Sequence, residues 1–209
     1  MKIAFLSSIY VNHLEVIYKK HYGLVKKTFK EQHDIIKNET ICSMGEWPDH
    51  FNEITVETTM LCVNNPFLQS AWCRENDFVP NETDSEFSII LEQIKRFQPT
   101  HLFIFGVTYY STKNRLNIIE SNCKSIRKKI CWYGAPEGKI DIFKKYDLVL
   151  TPSVDLSKDL EKAGINSQVL EHAFEPRTLS LLNIDKRKNK FCFIGSLTVG
   201  ADWHEKRIQ

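Results

Sequence analysis

Short apolar runs alternate with helix-patterned stretches from the first residues to about residue 170, on short connections. The runs lie at 2–7, 58–63, 101–105, 129–133, 147–150 and 167–170. Between them, apolar residues recur at steps of three and four. Leu14, Ile17 and Tyr18 do so at 12–21, and Phe87, Ile90, Leu91 and Ile94 do so in the clearest helix, capped by Asp84 or Ser85. Strands and helices in strict alternation join as a parallel sheet with helices on both faces. The strand runs are apolar throughout, not at every second residue, as a sheet covered on both sides requires. The pattern predicts an α/β fold, a doubly wound parallel sheet.

Local signals place the element ends. Thr28 followed by Glu31 forms a capping box opening a helix to about Asn38, with Ile35 and Ile36 inward. Residues 47–51 read as a turn or short helix. Asn64-Asn65-Pro66 stops a strand and starts a helix whose apolar stripe is Phe67, Leu68, Ala71 and Trp72. Ser111 opens a helix with Leu116, Ile118 and Ile119, and residues 140–146 make a short one. Ser153 or Asp155 starts a last helix that Gly164 ends.

At about 150 residues per domain, 209 residues amount to roughly one and a third domains. The end of the chain accounts for the fraction. Residues 183–189 are polar and charged and read as a linker, and 190–195 form a fresh apolar run ending in Gly195. Residues 198–203 read as a loop and 204–209 as a helix start. The expected division is one domain at 1–182, a linker at 183–189, and the truncated start of a second α/β domain at 190–209.

Composition removes several classes. With 42% hydrophobic residues, wholesale disorder is excluded. Lys and Arg number 28 against 26 Asp and Glu, and the isoelectric point near 8.1 is below the range of dedicated nucleic-acid binders. The six cysteines contain no CxxC pair, which points to free, mostly buried thiols in a reducing cytoplasmic setting. The first eight residues turn polar too early for a signal peptide, and no run approaches the length of a membrane span. Lysines crowd residues 19–30. A solvated helix face is the plain reading there, and contact with an anionic membrane surface the sharper one.

Ligands of an open parallel sheet bind outside the carboxyl ends of its strands. Those ends present Ser8, Tyr10 and His13 after the first strand, Gly106, Tyr109 and Tyr110 after the third, Tyr133, Gly134 and Glu137 after the fourth, and Thr151 and Ser153 after the fifth. The set suits a cleft that holds a hydroxylated small molecule by hydrogen bonds and stacking. Ordinary turn chemistry is the bland alternative. His13 and Glu137 are the candidates for proton transfer. The dinucleotide fingerprint G-x-G-x-x-G is absent, as are a phosphate-binding P-loop and a G-x-S-x-G elbow.

Several segments, taken together, resemble the CgeB-like glycosyltransferases. The opening Met1-Lys2-Ile3-Ala4-Phe5-Leu6-Ser7-Ser8-Ile9-Tyr10, followed by Leu14, Tyr18 and His21, is one. Others are Asn64-Asn65-Pro66-Phe67-Leu68-Gln69-Ser70-Ala71-Trp72, Ile94-Lys95-Arg96-Phe97-Gln98-Pro99, Tyr146-Asp147-Leu148-Val149-Leu150-Thr151, Phe174-Glu175-Pro176, and Phe193-Ile194-Gly195-Ser196-Leu197 with His204 and Arg207. The resemblance implies GT-B architecture, two Rossmann-like domains facing a cleft. It implies a hexosyltransferase-type transfer of a sugar from a nucleotide-sugar donor to a hydroxyl acceptor such as a cell-surface glycan or glycolipid. Gly195, Ser196 and Arg207 would then face the donor diphosphate. Ser8, Tyr10, Gly106, Tyr109, Tyr133 and Gly134 would line the acceptor side, with no metal and no cofactor. The chain by itself is expected to be inactive. A non-catalytic sugar-binding module and a GT-B-type sugar epimerase are the alternatives.

Overall fold

Each of the six apolar runs becomes a strand, and every pairing between them is parallel. The strands are β1 (Lys2–Ser7), β2 (Glu57–Cys62), β3 (His101–Phe105), β4 (Lys128–Trp132), β5 (Leu148–Thr151) and β6 (Ser167–Val169). This computed structural model describes residues 1–40, 46–105, 109–110, 114–135, 140–172, 176 and 179. All but the last two lie in one unit, Met1–Glu175. The expected linker at 183–189 and second-domain start at 190–209 lie outside the described residues. β1 and β3 match the expected spans. β2 and β4 begin one residue early and β5 one residue late, because strand ends are set by pairing as well as by composition.

The helices are α1 (Val11–Lys20), α2 (Phe29–Glu39), α3 (Glu46–Glu53), α4 (Pro66–Glu75), α5 (Ser85–Phe97), α6 (Arg115–Asn122) and α7 (Val154–Lys162). Three of the expected start signals act as read. The Thr28 hydroxyl accepts the Glu31 N–H while the Glu31 carboxylate accepts the Thr28 N–H. Asn65 caps α4 ahead of Pro66, and Ser153 caps α7. The fourth differs. Asp84 stands at the N-cap of α5, but its side chain makes no cap bond and turns to Arg115. The short helix expected at 140–146 is a 3₁₀ helix, Ile140–Lys145.

The sheet order is β2-β1-β3-β4-β5-β6. The chain leaves β1 toward β2, crosses back over β1 to β3, and then advances steadily to β6. Right-handed crossovers therefore put α1–α3 on one face and α4–α7 on the other. The cores agree. Ala4, Leu6, Leu102, Ile104, Cys131 and Val149 pack with Phe87, Ile90 and Ile94 of α5, Leu116 and Ile119 of α6, and Leu160 of α7. On the opposite face Ile3, Phe5, Met60, Phe103 and Phe105 pack with Trp47 and Phe51 of α3, and Cys62 joins Ile17 of α1 and Ile36 of α2. Cys62, Cys123 and Cys131 are buried free thiols, and burial pushes the Cys62 thiol up to about 12, so it stays protonated. Among the described residues no helix is long and apolar enough to cross a membrane.

Candidate functional site

The strand order reverses between β1 and β3, and a sheet of this kind opens a crevice there, outside the carboxyl ends. The wall after β1 is held by an amide. Ile9 N–H donates to Asn64 Oδ1 at 2.9 Å, and Asn64 Nδ2 donates to the Ile9 carbonyl at 2.6 Å. With the Val63 N–H to Ser7 carbonyl bond at 2.8 Å, this side chain prolongs the β1–β2 ladder beyond the strands. The clamp fixes the short ledge Ser8-Ile9-Tyr10 before α1 begins. Ser8 is exposed, and Tyr10 is 89% exposed. The Tyr10 side chain makes no cap bond and the first turn of α1 has no acidic residue, so the positive end of the helix dipole is left for other partners. His13 stands exposed in that first turn.

α1 is anchored from below. The Tyr18 hydroxyl lies 2.8 Å from Gln32 Oε1 and 3.1 Å from Asn65 Oδ1, and burial pushes its pKa up to about 12. Asn65, fully buried, also accepts the Leu68 N–H. The ledge, α1 and the α4 start thus share one buried polar joint.

After β3, Gly106 lies outside the described residues, and Tyr109 and Tyr110 follow. A buried arginine seats them. Arg115 donates through Nη1 to the Tyr109 carbonyl at 3.0 Å and through Nη2 to both Asp84 oxygens at 3.0 Å. Its guanidinium lies 3.8 Å from the Tyr109 ring centre and 5.3 Å from that of Phe87. Burial pushes the Tyr109 phenol up to about 12, and raises Tyr110 as well. Both are neutral hydroxyls at ordinary pH, fit for hydrogen bonding and not for use as tyrosinate bases.

After β4, Tyr133 continues the ladder by donating its N–H to the Leu150 carbonyl at 2.9 Å, and its half-buried ring meets Phe143 at 5.1 Å. Gly134 is exposed on its outer side, yet a Cβ there would sit 2.7 Å from the Trp132 ring. A side chain there would have to push the Trp132 ring aside, so this close approach favours glycine at that turn. Beyond β6, His172 sets its ring 5.3 Å from Trp132.

Topology therefore brings Ser8, Tyr10, His13, Tyr109, Tyr133 and Gly134 to one end of the sheet. Glu137, Gly195, Ser196 and Arg207 lie outside the described residues. The structure adds Arg115 and His172 to the site and gives Asn64 a role beyond ending a strand. In the sequence the Asn64-Asn65 pair signals a strand stop, and a side-chain amide just after a strand is also a clamp for its neighbour. Nothing local marks Arg115, whose carboxylate partner is 31 positions away. In the lysine-rich segment, Lys19 pairs with Glu15, Lys20 with Glu39, Lys27 with Glu31, and Lys30 with Asp34. Among the described residues, no three His, Cys, Asp or Glu side chains gather where they could hold a metal ion. Compared with models of known protein families and with curated proteins, the chain matches none of either.

Proposed function

We propose that this chain carries the acceptor-side domain of a glycosyltransferase of GT-B architecture, of the CgeB-like kind that several of its segments resemble. The observation that carries the reading is the ledge at the carboxyl end of β1. An aromatic ring, Tyr10, stands out into solvent between an exposed serine and an exposed histidine, beside the reversal of strand order. The ring offers its face to the apolar side of a sugar, and the Ser8 hydroxyl bonds sugar hydroxyls. Tyr109, Tyr133 and Gly134 form the rest of the proposed acceptor wall, with Gly106 a further candidate by sequence.

In the transfer, an acceptor oxygen attacks the anomeric carbon of the donor sugar. The bond from that carbon to the nucleoside diphosphate breaks, and the acceptor's proton passes to a base. His13 takes that proton, with Glu137 the second candidate. Gly195, Ser196 and Arg207 serve the leaving diphosphate on the donor side, where backbone N–H groups and a fixed cation stabilise its charge without a metal.

Saturation-transfer NMR with a panel of methyl glycosides tests the acceptor site directly. Tyr10→Ala is expected to lower sugar affinity about tenfold, the loss of one stacking contact. His13→Ala is expected to leave binding within about twofold and to slow transfer from nucleotide-sugar donors, in a protein containing both domains, by roughly 100-fold. Saturable binding with no transfer from any donor would make the domain a carbohydrate-binding module. No sugar binding at all would overturn the reading.

A further inference from the structure

The amino-terminal end of the sheet, opposite the crevice, is cationic. β1, β3, β4 and β5 lie side by side in the sheet order, and basic residues stand at or just before the start of each. Lys2 opens β1 and His101 opens β3. Lys128 opens β4, with Lys124 and Arg127 in the turn before it, and Lys145 ends the 3₁₀ helix ahead of β5. These starts are bonded to one another. Lys2 N–H donates to Thr100 Oγ1 at 3.0 Å, Arg127 N–H to the Thr100 carbonyl at 2.8 Å, and Asp147 N–H to the Lys129 carbonyl at 2.8 Å. The Ser125 hydroxyl donates to the Pro99 carbonyl at 2.8 Å and pins the turn that carries Lys124. At about 4.8 Å per strand, the row is about 14 Å long.

The carboxylates along the row are engaged. Glu57 holds Lys2 at 2.9 Å and Glu120 holds Lys129. Asp147 accepts the Lys129 N–H at 2.8 Å and meets the Lys128 ammonium at 3.4 Å. Lys124, Arg127 and Lys145 are exposed and have no carboxylate partner among the described residues, and Lys128 keeps 59% of its side chain in solvent. Partial burial lowers the pKa of His101, and the amino terminus, Arg127 and Lys128 lower it further, so these charges converge on one ring. The lysines crowded at 19–30 differ, because Lys19, Lys20, Lys27 and Lys30 each hold a carboxylate. The basic run of the sequence is thus mostly balanced in the fold, while cations from separate segments gather unbalanced at the strand starts.

Shape and composition narrow the partner. Cations set in a row match an extended anionic surface better than a small ion, which needs donors around it. A nucleic-acid track combines such charges with stacking rings and arginine forks. This row holds one arginine and no exposed tyrosine or tryptophan. Lysine point charges beside an apolar Met1, 62% exposed, suit lipid headgroups, and clusters of about four to eight Lys and Arg are what anionic lipid attracts.

We propose that the amino-terminal end of the sheet docks on an anionic lipid surface through Lys124, Arg127, Lys128 and Lys145, which turns the crevice at the carboxyl ends away from the bilayer. The proposal is independent of the glycosyltransferase reading.

Vesicle sedimentation provides the test. The whole 209-residue chain is spun with vesicles of phosphatidylcholine alone and of phosphatidylcholine with phosphatidylglycerol. It is expected to pellet with the anionic vesicles only, and to be released at about 0.5 M salt, where surface charge is screened. Lys124→Gln together with Arg127→Gln should weaken partition about 30-fold, at about fivefold per cation. Lys19→Gln together with Lys30→Gln should leave it within about twofold. Equal pelleting with both vesicles, pelleting with neither, or a larger loss from the Lys19 and Lys30 pair would overturn the proposal. Binding to a single-stranded oligonucleotide in place of anionic vesicles would assign the row to nucleic acid and overturn it as well. The comparison of vesicles on the unaltered chain decides even if a variant fails to fold.

Discussion

Arg115 is carried into the interior at 6% exposure because Asp84, a backbone carbonyl and two aromatic rings meet it there. Removing one partner of a buried charge pair leaves the other uncompensated, though Asp84 keeps 28% of its side chain in solvent and can rehydrate. Arg115→Met is therefore expected to cost about 2 kcal/mol, read as a lower urea midpoint. Arg115→Lys should recover less than half of that, because an ammonium lacks the planar fork that reaches the Tyr109 carbonyl and both Asp84 oxygens while lying over a ring. His33 gives a pH-dependent term. Burial lowers its pKa from 6.5, with the Met60 carbonyl opposing. The unfolded chain takes up a proton near 6.5 while the folded chain resists to lower pH. Stability from this group is thus fully present above 6.5 and is lost as pH falls toward the folded value. The urea midpoint should be lower at pH 5.5 than at pH 7.5, with a shallower difference in His33→Gln. Glu39, held down by its bond from Lys20, contributes its own loss only at more acid pH, below 4.5.

At the scale of elements, the local signals were the legible ones. The capping box at Thr28 and Glu31 is complete within four residues, so the sequence contains all of its parts. Asp84 has the right chemistry for the same role at α5 and is diverted by a residue 31 positions away, which no local pattern can show. Asn65 does both kinds of work. It caps α4 by accepting the Leu68 N–H and receives the Tyr18 hydroxyl from α1. Asn65→Ala is expected to cost about 2 kcal/mol, about one for the cap and the rest for the stranded buried groups. Thermal unfolding measures the loss. Asn65→Asp, which keeps the accepting oxygen, should recover most of the cap.

For the whole molecule, the alternation of apolar runs and helical periodicities led directly to a parallel sheet covered on both faces, because period and cap act within about ten residues. The caps of α2, α4 and α7 were legible for the same reason, as were Ser8, Tyr10, His13, Tyr109, Tyr133 and Gly134 as residues following strands. Strand order was not legible. It rests on bonds such as Ile9 to Asn64, 55 positions apart, and Lys2 to Thr100, 98 apart. That order puts the Tyr10 ledge beside the Tyr109 segment. It also makes β2 an edge, and beside that edge a relay runs from Gln93 through Gln69 to the Cys62 carbonyl. The sequence alone determined which residues become strands and helices and which side chains stand at strand ends. The tertiary structure alone decided which of those ends are neighbours and which buried polar atoms remain unmet, since both depend on contacts between segments that share no local pattern.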